Sequence, residues 1–342
     1  MPASPRETND NLLAARAVGL RYVNDGDPGI SRRRAGNGFG YRSPDGARVT
    51  DPVTLARIRS LAVPPAWTDV WIAPSPRGHI QATGRDARGR KQYRYHLLWQ
   101  QTRDAAKFER MIDFCRALPR LGRHVERDLR RRGLPRAKVT AAVIRLLEAS
   151  LIRVGNEEYA RENRSYGLTT LRNRHATVGS TVLKFTFRGK AGVRHTVGIR
   201  DRRLARVVKA CQELPGQRLF EYVDENGEVQ PVDSDDVNEY LRHAMGDDFS
   251  AKDFRTWAGT LLAVRALQQI DGEAGAKEPT KKTLTQAVKK VADELGNTAA
   301  VCRKCYIHPA VIGAYLDGSL AAAIVKGTAR APEQQVMALL GA

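Results

Sequence analysis

The stretch from Thr181 to Ile199 reads TVLKFTFRGKAGVRHTVGI and differs in pattern from the sequence on both sides of it. TVLKFTF and RHTVGI each alternate apolar and polar side chains, as strands with one buried face do. RGKAGV between them supplies a glycine turn. The stretch therefore predicts a β-hairpin with Lys190 at its tip.

Helical patterns surround this hairpin. Upstream, Leu97 to Arg132 is long, charged and almost free of proline, and Arg136 to Val154 places apolar side chains at helical spacing. Downstream, helical patterns cover Arg202 to Glu213, Ser234 to Met245, Asp253 to Ile270 and Pro279 to Leu295. We therefore predict a mainly α domain, interrupted by one hairpin, over residues 98–342.

The N-terminal part has a different character. From Leu20 to about Tyr95 the chain is rich in Gly and Pro, with short β-prone runs such as Asp69 to Ala73 and a turn signal at Asn24-Asp25-Gly26. A chain of 342 residues is long enough for two domains with separate cores. We predict an α+β protein with a small β-rich domain over residues 1–97.

The chain is strongly basic. Lys and Arg number 57 against 37 Asp and Glu, a formal net charge of +20, and a polyanion is the natural partner for such a surface. The alternative is that the positive charge serves solubility or results from codon bias, with no polyanionic partner. No apolar run approaches the ~20 residues of a spanning helix, and the start, MPASPRETNDNLL, lacks a signal-peptide pattern. We expect a cytoplasmic protein.

Four cysteines are too few for a disulfide scaffold and are typical of a reducing compartment. Cys302 and Cys305 form one C-x-x-C, but a structural zinc site needs a second pair or suitably spaced histidines. Cys115 and Cys211 stand alone in the sequence. We favour small packing residues over a metal site.

Missing motifs narrow the reaction class. Gly189-Lys190 is followed by Ala191, so it is no phosphate-binding loop, and the sequence has no G-x-S-x-G, no H-E-x-x-H and no tight acidic cluster for magnesium. A basic protein without metal or nucleotide can still break a phosphodiester if a side chain attacks phosphorus and cations balance the charge. We therefore expect no cofactor and no metal.

Four segments occur together in one order: IRVGNEEY at residues 152–159, GLTTL at 167–171, KDFRTW at 252–257 and CRKCY at 302–306. Each resembles a motif of the type IB DNA topoisomerases of poxviruses and bacteria. The stretch GRDARGRKQYRY at residues 84–95 resembles the DNA-contacting part of that family's N-terminal domain. The resemblance runs from about residue 20 to 325.

The resemblance implies an enzyme that relaxes supercoils of both signs by cutting and resealing one strand. It implies a catalytic domain of the tyrosine recombinase and type IB topoisomerase fold, with the N-terminal domain clamping double-stranded DNA. It further implies a nucleoid-associated monomer that works without ATP or a required metal.

The resemblance also implies five catalytic residues: Arg153, Lys190, Arg255, Asn297 and Tyr306. The Tyr306 hydroxyl would attack phosphorus and form a 3′-phosphotyrosyl bond, and the two arginines would bind the non-bridging oxygens. Lys190 would give a proton to the leaving 5′ oxygen. Position 297 departs from the poxvirus pattern, which has histidine there; an asparagine donates a hydrogen bond but does not shuttle a proton.

Six further residues are candidates for DNA binding. On an extended segment Tyr93 and Tyr95 share a face, with Gln92 free to reach a base edge or phosphate; the alternative is that the tyrosines pack a small core. Tyr159 and Thr170 match backbone-contacting positions of the family, and Lys252 lies one helical turn before Arg255. Such contacts position the duplex without reading its sequence.

Two alternative functions stay open at this point, and so does the role of one basic stretch. A tyrosine recombinase uses the same nucleophile, but usually shows H-x-x-R where this chain has Lys252-Asp253-Phe254-Arg255. A non-catalytic DNA-compacting protein would need the charge and none of the spaced segments. The arginines between Arg116 and Arg132 form either a second phosphate track or a solvated helix face.

Overall fold

The structure, a computed structural model, describes residues 5–36, 38–87, 89–246, 249–274, 279–320 and 332–341. The chain divides into two compact units, Met1–Lys107 and Phe108–Ala342. The predicted boundary between residues 97 and 98 lies at the start of the helix Leu97–Glu109, whereas the units meet near its end. The predicted α+β class is confirmed in its coarse form: the first unit holds a sheet and the second is mainly helical.

The first unit contains five strands: β1 Ile30–Ala35, β2 Gly38–Arg42, β3 Thr68–Ile72, β4 Ile80–Arg85 and β5 Lys91–Tyr95. They form one antiparallel sheet in the order β2-β1-β3-β4-β5. Its core consists of Ile30, Ile58, Val70, Ile72 and Ala82. The predicted β-rich character of this region is therefore present.

Helices accompany this sheet: α1 Pro5–Ala17, α2 Pro52–Ser60 and α3 Leu97–Glu109. The sequence interpretation missed α1 and α2. Helix α2 has nine residues inside a Gly- and Pro-rich stretch, so its periodic signal is weak. Local chemistry nonetheless starts it, because the Asp51 carboxylate accepts hydrogen bonds from the backbone N of Val53 and Thr54 at 3.4 and 2.7 Å.

The helices of the second unit are α4 Met111–Leu129, α5 Arg136–Ser150, α6 Glu157–Asn163, α7 Arg202–Gln212, α8 Ser234–Met245, α9 Ala251–Ala274, α10 Lys281–Leu295, α11 Ala299–Cys305, α12 Pro309–Leu316 and α13 Pro332–Leu339. Its strands are β6 Ala176–Val178, β7 Val182–Arg188, β8 Arg194–Arg200, β9 Glu221–Val223 and β10 Val229–Pro231. No helix in the described ranges is long and apolar enough to cross a membrane.

Helix α5 is the centre of this unit. Of the nine positions from Val139 to Leu147, all except Arg145 are buried, so the helix is covered on all sides. The prediction that it continues to Val154 was wrong. Leu151 adopts a left-handed conformation (φ 54°) and ends the helix after Ser150.

A buried carboxylate joins α4 to α8. Asp128 accepts hydrogen bonds from the Tyr240 hydroxyl at 2.7 Å and from Arg131 Nε at 2.8 Å. The ordinary effect of burial is to raise a carboxyl pKa, but the hydrogen bonds from Arg127, Arg131 and Tyr240 outweigh it and lower the pKa of Asp128 to about 2. Two arginines of the basic stretch are therefore engaged within the protein.

The predicted hairpin is confirmed. Strands β6, β7 and β8 form an antiparallel sheet in that order, and β7 and β8 pair from Val182↔Arg200 to Arg188↔Arg194. The connection is a 3₁₀ turn, Lys190–Gly192, in which Ala191 has φ 60° and Gly192 has φ 79°. Leu183, Phe185 and Phe187 are buried on one face of β7, which holds the hairpin against the helices.

Candidate active site

Arg153 lies in a segment without regular secondary structure, residues 151–156, that follows α5. Its carbonyl oxygen accepts a hydrogen bond from Leu168 N at 2.9 Å, and that of Val154 accepts one from Thr169 N at 2.7 Å. The segment is thereby joined to the 3₁₀ turn Leu168–Thr170. The backbone at Arg153 is therefore held in place by a second segment of the chain, the turn Leu168–Thr170.

Two glycines allow these segments to meet. A Cβ added to Gly167 would lie 2.5 Å from the Arg153 carbonyl oxygen and 2.6 Å from Gly155 N. Gly155 itself has φ +111°, a conformation that other residues rarely adopt. The glycines of the RVGN and GLTTL segments are therefore required where the two backbones cross.

Arg255 is 5% exposed and lies in the second turn of α9. Its Nη1 donates to the Leu151 carbonyl, and its Nη2 donates to the Leu295 carbonyl at 2.6 Å. The buried Nε–H has no protein partner among the described residues. Burial, and then the charge of Arg153, lower the pKa of Arg255 from its ordinary value. Each terminal nitrogen retains one further N–H for a ligand.

Tyr306 follows α11 and packs against α9. Its ring centroid lies 5.3 Å from the Arg255 guanidinium carbon, and its carbonyl accepts a hydrogen bond from the Thr260 hydroxyl at 3.3 Å. A Cβ on Gly259 would lie 2.6 Å from the Tyr306 carbonyl oxygen and 2.8 Å from the Tyr306 Cβ. The close approach of Tyr306 to Arg255 therefore depends on glycine at position 259.

Asn297 follows Gly296, the left-handed residue that ends α10. Its Oδ1 accepts a hydrogen bond from Arg153 Nη2 at 2.7 Å, and its Nδ2 donates to the Leu295 carbonyl at 3.2 Å. The amide therefore orients Arg153, and one N–H of Nδ2 remains for another acceptor. Sequence reasoning did not foresee this contact between residues 144 positions apart.

Lys190 is exposed on the hairpin turn and lines a small cleft of about 40 Å³. Arg153 and Arg255 line the same cleft. The five candidates thus converge: three share the cleft, Asn297 bonds to Arg153, and Tyr306 packs on Arg255. A tyrosine beside Arg255, which shares its cleft with two further cationic side chains, is an arrangement suited to attack on a phosphate.

His195, on β8, also lines this cleft. Burial, and then the charges of Arg153 and Arg255, lower the pKa of His195 from its ordinary value. Sequence reasoning missed this residue. The available signal was modest: His195 follows Lys190 by five positions on the strand that returns from the predicted hairpin tip.

The candidate DNA-binding residues of the first unit lie on β5. Tyr93 and Tyr95 are 41% and 39% exposed, and their rings stack with centroids 5.6 Å apart. They share a face as the alternation predicts. Gln92 Nε2 donates to the Asp86 carboxylate at 3.0 Å, so its side chain is engaged within the protein. Arg88, within the resembling stretch, lies outside the described residues.

The other three lie in the second unit. Lys252 is exposed in the first turn of α9, one turn before Arg255, and Tyr159 is half-buried on α6. The Thr170 hydroxyl is buried and donates to the Gly167 carbonyl at 3.1 Å while accepting from Gly167 N at 2.9 Å. Thr170 therefore stabilises the turn beneath Arg153, and its contact with DNA stays a prediction.

The C-x-x-C pair lies on α11, with Cys302 buried and Cys305 half-buried, and neither is joined in a disulfide. Within the described ranges, no three His, Cys, Asp or Glu side chains form a group able to hold a metal ion. Burial raises the pKa of Cys302 above its ordinary value. The burial of Cys302 agrees with a packing role for this residue.

Comparison with protein families finds two matches. Residues 97–323 match the catalytic core of eukaryotic DNA topoisomerase I, and residues 38–86 match the N-terminal domain of bacterial DNA topoisomerase IB. The first match contains every candidate residue of the cleft. The second ends before Gln92, Tyr93 and Tyr95.

Individual proteins are also similar to this chain. The DNA topoisomerase 1B of Acanthamoeba polyphaga mimivirus is 35% identical over 285 residues, which is 82% of this chain and 85% of the viral protein. The DNA topoisomerase 1 of Rabbit fibroma virus is 23% identical over 67% of this chain and 70% of its own. The DNA topoisomerase 1B of Vaccinia virus (strain Copenhagen) is 21% identical over 72% of this chain and 75% of its own.

Proposed function

Because this chain belongs to the type IB DNA topoisomerases, we propose that it relaxes positive and negative supercoils by cutting and resealing one DNA strand through Tyr306. The observation that carries the proposal is the convergence of Tyr306 with Arg153, Lys190, Arg255 and Asn297. The family makes the protein an isomerase. The assignment of residues to steps is our inference.

In the proposed reaction the Tyr306 hydroxyl releases its proton to solvent, and its oxygen forms a bond to the scissile phosphorus. The bond from phosphorus to the 5′ oxygen breaks, and the products are a 3′-phosphotyrosyl linkage and a 5′-hydroxyl. The linkage retains the energy of the broken phosphodiester, so the 5′-hydroxyl reverses the reaction without ATP. Rotation of the cut strand about the intact one, between these steps, relaxes the supercoil.

Arg153 and Arg255 are proposed to stabilise the negative charge that develops on the non-bridging oxygens. The buried Nε–H of Arg255, which has no protein partner within the described part of the chain, is a donor suited to a phosphate oxygen. Asn297 holds Arg153 through its Oδ1 and offers an Nδ2–H to the same phosphate. Lys190 is proposed to give a proton to the departing 5′ oxygen.

The same proposal includes the fold of the second unit, the residues that contact DNA and the place of the protein in the cell. The second unit has the catalytic fold of tyrosine recombinases and type IB topoisomerases, and the first unit clamps double-stranded DNA. Gln92, Tyr93, Tyr95, Tyr159, Thr170 and Lys252 contact that DNA. The protein acts as a monomer on the nucleoid in the cytoplasm, without a nucleotide cofactor. The exposed, stacked tyrosines of β5 support the clamp.

The proposal is tested by relaxation of negatively and positively supercoiled plasmid in EDTA without ATP. We expect both plasmids to relax, because the chemistry requires only protein side chains. Rapid addition of SDS should trap protein attached to a 3′ end. If the protein binds plasmid but neither relaxes it nor becomes attached, DNA compaction is the better assignment. If it exchanges strands between duplexes instead, it is a recombinase.

Gly259→Ala should slow cleavage about 10- to 100-fold, because the new methyl group would displace Tyr306 from its place beside Arg255. The rate is measured as formation of the covalent complex in a single turnover. DNA affinity should be unchanged, since Gly259 is buried.

Gly313→Ala is the matched control. Gly313 also lies inside a helix, α12, and a Cβ there would meet nothing within 4 Å. This variant should cleave at the normal rate. Equal rates for both variants would show that the position of Tyr306 does not depend on Gly259.

A further inference from the structure

The His195 ring is held in the cleft by packing. It stacks on the Phe187 ring, with centroids 5.3 Å apart and planes inclined by 19°. Neither ring nitrogen has a hydrogen-bond partner in the part of the chain that the structure describes. The shape of the imidazole, rather than a bond to a neighbour, therefore accounts for its placement.

Two glycines make room for this ring, and each immediately precedes a candidate catalytic residue. A Cβ on Gly189, before Lys190, would lie 2.5 Å from Cδ2 and 2.6 Å from Nε2 of His195. A Cβ on Gly296, before Asn297, would lie 2.6 Å from Cε1. The His195 ring therefore lies between the hairpin turn and the turn that joins α10 to α11, and the width of the ring sets the distance between these turns.

Burial and the neighbouring charges favour the neutral form of the His195 ring. Arg153, Arg255 and Lys190 line the cleft with His195, and Glu294 is the acidic residue among the lining side chains. Burial, and then the charges of Arg153 and Arg255, lower the pKa of His195, which favours the uncharged imidazole. An uncharged ring can occupy this place without adding a fourth cation to the cleft.

We propose that His195 is a positioning residue that sets the spacing between the Lys190 turn and the Asn297 turn. Lys190, and the Arg153–Asn297 pair, are then held at distances that let them act on the same phosphate. This inference rests on the proposed function, because it assumes that Lys190 is the proton donor. His195 itself has no assigned contact with the reacting atoms.

The test compares two duplex substrates in single-turnover cleavage: one with a normal scissile phosphodiester, and one with the bridging 5′ oxygen replaced by sulfur. A thiolate leaves without a proton, so the second substrate does not need a general acid. His195→Ala should slow cleavage of the normal substrate about 10- to 100-fold. On the sulfur substrate it should stay within about threefold of the unmodified enzyme, because hydrogen bonds to Arg153 and Leu295 still hold Asn297 and the Lys190 turn is the part that moves.

Lys190→Ala is the reference variant, and it should show the same selective loss, larger in size. Thr196→Ala is the control, since Thr196 is the exposed neighbour of His195 on β8. Its rates should be normal on both substrates. DNA affinity is measured for each variant, so that a folding defect is recognised.

Gly189→Ala provides a second, independent variant. Gly189 has φ −94°, which alanine adopts freely, so the substitution acts through the contact with His195. We expect Gly189→Ala to slow the normal substrate as His195→Ala does. The double variant should be no slower than the slower single variant, because removing the ring makes room for the methyl group.

The outcomes separate the two proposals. If Lys190→Ala is rescued by sulfur but His195→Ala is equally slow on both substrates, His195 does not position Lys190 and the inference fails alone. Additive losses in the double variant also overturn it. If Lys190→Ala is not rescued by sulfur, the general-acid assignment of the proposed function fails, and the inference fails with it.

Discussion

Tyr306→Phe is expected to abolish both plasmid relaxation and the covalent protein–DNA complex while leaving DNA affinity unchanged. The substitution removes only the hydroxyl that is proposed to attack phosphorus, and the phenylalanine ring retains the packing against Arg255 at 5.3 Å. Loss of a nucleophile leaves no alternative group in place, so the rate should fall by at least about 10⁴-fold. The measurements are relaxation of supercoiled plasmid, trapping with SDS and equilibrium binding to duplex DNA.

Tyr222→Phe is the matched control for this experiment. Tyr222 is a half-buried tyrosine of the second unit, on β9, and it does not line the cleft. It should relax plasmid at the normal rate. A covalent complex that persists in Tyr306→Phe would show that the nucleophile is another residue, and the whole assignment of the cleft would have to be revised.

Arg153→Lys is expected to slow cleavage about 10²- to 10³-fold with little effect on the free energy of unfolding. Lysine keeps the charge but presents a single ammonium group. It does not reproduce the planar guanidinium, which can donate to Asn297 and to a phosphate oxygen at the same time. Arg153 is half-buried and its guanidinium is bonded to a side chain, so its loss leaves no backbone carbonyl without a partner. The rate is measured in a single turnover, and stability by thermal unfolding.

Arg206→Lys is a suitable control, because Arg206 is exposed on α7 and lies outside the cleft. It should leave both the rate and the stability unchanged. If Arg153→Lys cleaves as fast as Arg206→Lys, charge alone suffices at position 153. The proposed role of the Arg153–Asn297 pair would then be wrong.

Arg255 is less suitable for a clean kinetic test than Arg153. Its two terminal nitrogens donate to the carbonyls of Leu151 and Leu295, which follow or end α5 and α10. Truncating the side chain would leave the buried Leu295 carbonyl and the part-buried Leu151 carbonyl without this donor, which costs about 1–3 kcal/mol for the buried group. A slow Arg255 variant would therefore reflect a weakened fold as well as lost catalysis.

Much of the architecture was predictable because it depends on local periodicity. The alternation in Val182–Arg188 and Arg194–Arg200 specified the hairpin, and the bounds predicted for α8 agree with the structure. Helix α5 ends earlier than predicted because a single left-handed residue, Leu151, overrides a pattern that continues past it. Short helices such as α2 were missed because one face of nine residues gives little periodic signal.

The sequence by itself determined which residue types are available: the basic surface, the two-domain order, the hairpin with its lysine, and a tyrosine near two arginines in motif order. Only the tertiary structure decided how they are held. Asn297 bonds to Arg153, Gly259 admits Tyr306, and His195 lies between two turns. The reason is physical: periodicity reports which face of an element is buried, whereas contacts between distant segments depend on how the elements pack.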